Sequence, residues 1–322
     1  MSETDGAIDV SYLVPAFRAG DTIEDALRSA LAQEGARVEA IVVDDASDDD
    51  TAERVARLAE NEPRIRLIRL ARNGGPSGAR NAAIAAAAGR FLAVLDADDT
   101  LEPTRTRDLL DLARLTGADI VADDLLRLDH AGRPVSRALP PGPAPYGFAL
   151  DPVSYCADNV PMAGRFGTGY LKPMVRARFV ADHRLAYDPA VRVGEDFLFW
   201  LEALLAGARY VVSSRAGYRY SARPGSLSHR IAAARLDELA AGLDRLVARR
   251  PDAASEPETA RALARYRAGL SRARGFLDAV DDAKAGRRRE AASRLGRDPA
   301  TWPLALRYGG EAVANRLRRR GA

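Results

Sequence analysis

Three times in the first hundred residues an apolar run stops at residues able to hold a ligand. Val10-Ser11-Tyr12-Leu13-Val14 stops at Pro15-Ala16-Phe17, Ala40-Ile41-Val42-Val43 at Asp44-Asp45, and Phe91-Leu92-Ala93-Val94-Leu95 at Asp96-Ala97-Asp98-Asp99. Such runs read as strands buried on both faces. Helical patterns lie between them. Ile23, Ala26, Leu27, Ala30 and Leu31 follow Asp21-Thr22-Ile23-Glu24, which reads as a capping box with Asp21 as N-cap. Val55 and Leu58 follow Ser47 or Asp48 as caps, and Ser77 is expected to cap an Ala-rich helix that runs from the turn Asn73-Gly74-Gly75-Pro76 to Gly89. Ile65-Arg66-Leu67-Ile68 supplies a further strand, and a helix over 104–115 and a strand over 119–122 continue the pattern. The alternation predicts an α/β chain, a mostly parallel central sheet flanked by helices. Ligands of such sheets sit at the carboxyl ends of the strands, so the three ends should share one crevice.

Residues 130–150 are rich in Pro and Gly and read as a loop or excursion. A second block, 151–229, holds Gly194-Glu195-Asp196 opening the apolar helix Phe197 to Leu205, the strand Tyr210-Val211-Val212 and an aromatic, basic loop from Tyr218 to His229. Beyond it, Leu236, Leu239, Leu243 and Leu246 share one helical face, as do Leu263, Tyr266, Leu270 and Leu277, with Pro251-Asp252 between them. The expected organisation is one domain over 1–229, made of halves 1–125 and 151–229, and a C-terminal helical appendage over 230–322.

Composition narrows the function classes. With 47% hydrophobic residues the chain can bury a sizeable core. Its 48 Lys and Arg against 45 Asp and Glu leave a net charge of +3, which makes no case for a nucleic-acid partner. One cysteine, Cys156, excludes an intrachain disulfide and a cysteine zinc site, and suits a reducing cytoplasm. No run approaches the ~20 apolar residues of a membrane span, and the acidic start Met1-Ser2-Glu3-Thr4-Asp5 lacks a signal-peptide core. The expected location is cytoplasmic, or peripheral at the inner face of the membrane. The clusters Arg287-Arg288-Arg289 and Arg316-Leu317-Arg318-Arg319-Arg320 are candidates for contact with anionic lipid, and equally suit a solvated helical surface.

The acid cluster carries the chemistry. Three carboxylates on one buried strand end repel one another unless something positive sits among them. A hard divalent cation takes oxygen ligands, so Asp96, Asp98 and Asp99 are candidate metal ligands. The same segment, Asp96-Ala97-Asp98-Asp99-Thr100, also resembles the Asp-x-Asp-x-Thr motif of haloacid-dehalogenase-like phosphatases, with Asp96 as nucleophile and Asp98 as acid. That family carries this strand near the start of its fold, whereas three strands precede it here. Asp45 at its strand end can hydrogen-bond a base or ribose. Phe17 at a crevice edge can stack on a nucleobase. Arg80, near a helix N-terminus, can clamp phosphate or orient the acids. Glu195 and Asp196 beside an apolar wall are either helix-dipole partners or bases.

Taken together, five motifs over about residues 8–229 resemble a family 2 glycosyltransferase of the GT-A fold, and the later part resembles bacterial exopolysaccharide transferases of the succinoglycan type. Val10 to Phe17 looks like the opening strand and Pro-Ala-Tyr/Phe turn. Val42-Val43-Asp44-Asp45-Ala46-Ser47-Asp48-Asp49-Asp50-Thr51 looks like Val-Asp-Asp-Gly-Ser-x-Asp-x-Thr. Asn73-Gly74-Gly75-Pro76-Ser77-Gly78-Ala79-Arg80-Asn81 is similar to Asn-x-Gly-x-x-x-Ala-Arg-Asn, Leu95 to Asp99 to the Asp-x-Asp motif, and Gly194-Glu195-Asp196 to the acceptor-side Glu-Asp motif. The resemblance implies an inverting, non-processive transferase. It would move a sugar from a nucleotide donor, a UDP-sugar first, to a glycan or polyprenyl-linked acceptor. It implies donor contacts from Pro15, Phe17, Asp45, Arg80, Asp96 and Ala97. Mn2+ or Mg2+ would lie at Asp98, Asp96 and Asp99, and Asp196 would be the general base, with Glu195 as substitute. Arg18 stands where Asn is usual and Ala46 where Gly is usual, and no Gln-x-x-Arg-Trp follows Glu195-Asp196. Two other readings remain: the phosphatase, and a catalytically silent nucleotide-sugar-binding module.

Overall fold

The computed structural model describes residues 7–129, 131–139, 147–162, 166–221, 233–297 and 301–302. His229, the Arg316 to Arg320 cluster and Pro140 to Pro143 lie outside them. The four apolar runs form the strands β1 (Val10–Ala16), β2 (Val38–Asp44), β3 (Ile65–Arg69) and β4 (Phe91–Val94), paired in parallel in the order β3-β2-β1-β4. All of β2 and all of β4 are buried, because helices cover both faces there. The chain builds β1, β2 and β3 in one direction, then crosses back to lay β4 on the other side of β1. That reversal opens a crevice beyond the carboxyl ends of β1 and β4.

The sheet continues past β4 as β9 (Met174–Arg176), β6 (Ile120–Leu128), β10 (Tyr210–Ser221) and β5 (Thr100–Leu101). β9 runs antiparallel to β4 and β6, β10 runs parallel to β6, and β5 runs antiparallel to β10. The Pro- and Gly-rich stretch expected as a loop contributes two more strands, β7 (Pro134–Arg137) on β6 and β8 (Phe148–Leu150) on β10. The strand expected over Tyr210 to Val212 runs on to Ser221, carrying Tyr218 into the crevice region.

Helices α1 (Ile23–Leu31), α2 (Thr51–Asn61), α3 (Gly75–Ala86) and α4 (Arg105–Thr116) flank the sheet. Their starts differ from the sequence expectations. Thr22 is the N-cap of α1, with no side-chain cap, and Glu24 pairs with Arg28 and Arg54 instead of reaching back. Asp50 precedes α2, while Ser47 stays in the loop and accepts from the Arg18 amide at 3.0 Å. Ser77 lies inside α3, where its hydroxyl donates to the Val191 carbonyl at 3.0 Å.

The Glu-Asp pair opens α7 (Glu195–Leu205), of which every residue from Phe197 onward is buried. α8 (Ala233–Arg249) and α10 (Pro257–Lys284) back it: Leu236, Leu239, Leu243, Leu246, Leu263, Tyr266 and Leu270 belong to the same continuous core as the sheet. Phe197 stacks on Tyr266 with ring centres 4.2 Å apart. The C-terminal helices thus brace the helix that carries the candidate base. No helix of the described residues is long and apolar enough to cross a membrane.

Candidate active site

The crevice brings together the ends of β1, β2 and β4, the first turns of α3, Lys172, the start of α7 and the end of β10. At the end of β1, Pro15 is half-buried and Phe17 is 46% exposed, an unusual exposure for a ring this large. At the end of β2, Asp45 is buried and accepts from the Gly74 amide at 2.6 Å and the Gly75 amide at 2.9 Å. Gly75 has φ +74, a left-handed conformation that glycine adopts without cost. Burial raises the Asp45 pKa, against the lowering effect of the two amides.

Arg80 on α3 is the hub. It is 3% exposed, and its guanidinium reaches Glu195 at 2.7 Å, Asp96 at 3.1 Å and Asp196 at 3.3 Å. Lys172, also buried, reaches Asp96 at 2.8 Å and Asp196 at 3.2 Å. Two cations therefore bind three carboxylates, the positive charge that an acid-rich strand end demands. Burial tends to raise the Asp96 pKa, but Lys172 and Arg80 outweigh it and hold it at about 2. Burial and neighbouring Asp196 push Glu195 up, against the pull of Arg80. The contact of Asp196 Oδ1 with the Arg80 guanidinium, at 3.3 Å, is an ion pair outside hydrogen-bond geometry.

The acids of the β4 end do not act as one cluster. Asp96 is engaged by Arg80 and Lys172. Asp99, 1% exposed, accepts from the Tyr218 hydroxyl at 2.9 Å and the Ser221 amide at 2.8 Å. Burial, with Asp96 and Asp98 beside it, raises its pKa well above the usual range. Asp99 thus ties β10 to the β4 end, while Asp96 faces the two cations. Among the described residues no group of three His, Cys, Asp or Glu side chains is arranged to hold a metal by itself. Ala97 is buried between them and Asp98 is half-buried.

Residues 11–177 match the model of "Glycosyl transferase family 2". The chain is a family 2 glycosyltransferase. It is 38% identical over 314 residues, 98% of this chain and 87% of the relative, to the succinoglycan biosynthesis protein ExoO of Rhizobium meliloti (strain 1021). It is 38% identical to ExoU of the same organism over 68% of this chain and 64% of that one. Among solved structures, S. aureus TarS 1-349 in complex with UDP aligns with a TM-score of 0.61 at 20% identity, covering 80% of this chain and 70% of that one. The mannosyltransferase PcManGT from Pyrobaculum calidifontis in complex with GDP-Man and Mn2+ aligns with a TM-score of 0.59 at 19% identity, covering 96% of this chain and 81% of that one. These neighbours share the GT-A fold. Family membership sets the phosphatase reading of Asp96 and Asp98 aside.

The two departures from the motifs of this glycosyltransferase fall at matching backbone positions. Arg18 has φ +51 and Ala46 φ +58. Asn and Gly are the residues that enter this region most readily, which explains the usual motif. Arg18 is stabilised there by its pair with Asp48 at 2.6 Å, and it lies 5.2 Å over the Phe17 ring. Ala46 makes no side-chain compensation. Ala46→Gly is therefore expected to stabilise the protein by about 0.5–1 kcal/mol, the left-handed strain relieved less the added freedom of the unfolded chain. Urea melts of the two proteins would show it as a higher midpoint at equal slope; an unchanged midpoint would mean that Ala46 is unstrained.

Sequence reasoning missed Lys172, Tyr218 and the buried pair behind them. Arg105 binds Asp123 at 2.8 to 3.1 Å and donates to the Lys172 carbonyl at 2.5 Å. Asp123 in turn accepts from the Gly217 amide at 2.8 Å. This pair fixes the backbone of Lys172 and of Tyr218 at once. The motif Tyr170-Leu171-Lys172 was the available signal, a lysine between an aromatic and a buried strand.

Proposed function

We propose that this family 2 glycosyltransferase moves one sugar from a UDP-sugar to a hydroxyl of a growing exopolysaccharide glycan, with inversion at the anomeric carbon. One observation carries the reading. The Arg80 guanidinium touches Asp96 at the donor-side strand end and Glu195 and Asp196 at the start of α7, so a single rigid group joins the two substrate halves. The succinoglycan biosynthesis proteins ExoO and ExoU support the pathway class. The TarS complexes with UDP and UDP-GlcNAc support the donor class.

Phe17 offers a solvent-facing ring for the nucleobase, with Arg18 over it. Asp45, fixed by Gly74 and Gly75, keeps spare lone pairs for the base edge. Pro15 and Ala97 shape the walls between them. Asp98, with the donor's diphosphate, would hold Mn2+ or Mg2+; a cation carried by phosphates needs only one or two protein carboxylates. When bound, the cation neutralises charge on the leaving nucleoside diphosphate. The donor set fits, because Asp98 is a hard carboxylate donor, half-buried at the end of β4.

Asp196, at the start of α7, accepts the proton of the attacking hydroxyl. The acceptor oxygen bonds to the anomeric carbon as that carbon's bond to the diphosphate breaks. Lys172 and Arg80 hold Asp196 in place. Glu195, bonded to Arg80 at 2.7 Å, orients that guanidinium. The acceptor is a glycan, lipid-linked at the inner membrane face, where the exposed Arg288 and Arg289 add affinity for anionic headgroups.

A thermal-shift screen of UDP- and GDP-sugars with Mn2+ tests the donor. Stabilisation by at least one UDP-sugar is expected, and Asp45→Ala should lose it while melting close to the parent without ligand. Nucleotide binding with neither hydrolysis nor transfer of any donor would favour a silent binding module.

A further inference from the structure

Beside the acid network the same strand ends carry an aromatic ledge that the mechanism above does not use. The Phe166 ring lies 4.8 Å, centre to centre, from Tyr170 and 5.8 Å, edge-on, from Tyr220. The Arg127 guanidinium sits 5.1 Å over Phe166. Tyr220 and Arg127 are register partners on β10 and β6. Burial accounts for the neighbouring tyrosines 155, 187, 210 and 218, each 2% exposed or less. It does not account for Tyr170, which is 41% exposed.

The ledge is continuous with the catalytic network at both ends. Tyr220 lies on the sheet face of Tyr218, two residues away, whose hydroxyl binds Asp99 and accepts from the Asp96 amide. Ser221, the next residue, donates to Asp99. Tyr170 ends a 3₁₀ turn two residues before Lys172, which grips both Asp96 and Asp196. The Tyr170 and Tyr220 rings are thus carried by chain within two residues of Lys172, which contacts Asp196, and of Tyr218, which contacts Asp99.

We propose that Phe166, Tyr170, Tyr220 and Arg127 form a carbohydrate subsite that seats a sugar ring of the acceptor glycan. This rests on the transferase reading. The C–H face of a pyranose is apolar and weakly positive, and it stacks on the negative face of an aromatic ring. Tyrosine adds a hydroxyl at the rim, and Arg127 adds donors aimed at sugar oxygens or at a carboxylate substituent. A subsite of this kind holds the sugar that bears, or adjoins, the attacking hydroxyl.

Saturation-transfer NMR on the full chain with UDP and Mn2+ tests the subsite, using cellotetraose, laminaritetraose and β-1,4-galactotetraose as probes. Saturation passing from the protein to ring protons of at least one tetrasaccharide is expected. Tyr170→Ala should weaken that binding about tenfold, the loss of one stacked ring, and Tyr170→Phe should stay within about threefold. UDP affinity and melting temperature should be unchanged in both. No transfer of saturation to any probe in the parent protein, or binding indifferent to Tyr170→Ala, would overturn the proposal. So would Tyr170→Ala removing binding to phosphatidylglycerol vesicles while leaving the tetrasaccharides alone, which would make the ledge a membrane contact. Failure of the parent protein to bind UDP would count against the donor reading instead, because the sugar arm is read without turnover.

Discussion

Arg80→Ala is expected to abolish transfer and to cost about 3–5 kcal/mol of stability, because it strips one partner from a buried ionic network and leaves three carboxylates with Lys172 alone. Arg80 is buried and its charge cannot be replaced by water. Its guanidinium also lies 5.3 Å over the Tyr187 ring, a contact that the substitution removes as well. Urea unfolding gives the stability change, and release of UDP gives the activity. Arg80→Lys separates charge from geometry. It should recover part of the stability but little of the rate, since one ammonium cannot span the three carboxylates that the planar fork reaches. A stability loss below about 1 kcal/mol in Arg80→Ala would show that the network is not held as described.

Asp196→Asn should lower kcat by about 10²–10⁴, the usual worth of a positioned base, with UDP affinity within a factor of two. The amide preserves shape but removes the proton acceptor together with the charge that pairs with Arg80 and Lys172, so a urea melt accompanies the kinetics. Glu195→Gln separates the two acids of α7. Its effect should be smaller, because Glu195 accepts the tight Arg80 hydrogen bond at 2.7 Å, whereas Arg80 reaches Asp196 only as an ion pair at 3.3 Å. The reverse order of the two defects would make Glu195 the base. Lys172 contacts Asp196 at 3.2 Å, so Lys172→Met should also cut kcat while the donor still binds through Phe17 and Asp45.

The parts of this molecule that the sequence shows openly are those built from local pattern. The runs at Val10, Ala40 and Phe91 read as buried strands because helices cover both faces of that half-sheet, leaving no polar alternation to confuse them. The five motifs are legible because each lies at a strand end or a helix start. What escaped depends on tertiary contact. Lys172 and Asp96 are 76 positions apart in sequence, and nothing local marks that lysine as buried. The Tyr218 and Ser221 contacts of Asp99 arrive from a strand whose sequence pattern ends at Val212. Ser77 and Asp21 were misjudged as caps for a different reason: several polar residues precede each helix, and only the chain path selects which one stops the helix. Arg18 and Ala46 stood out as departures, but their shared left-handed backbone became visible only in three dimensions.

Time-resolved proton NMR of the slow hydrolysis of an α-linked UDP-sugar, with water standing in for the acceptor hydroxyl, tests the proposed chemistry most directly. A single displacement assisted by Asp196 should release the free sugar first as its β anomer, before mutarotation, and Asp196→Asn should suppress that release. First appearance of the α anomer would contradict direct displacement, and release unaffected by Asp196→Asn would remove Asp196 from the reaction.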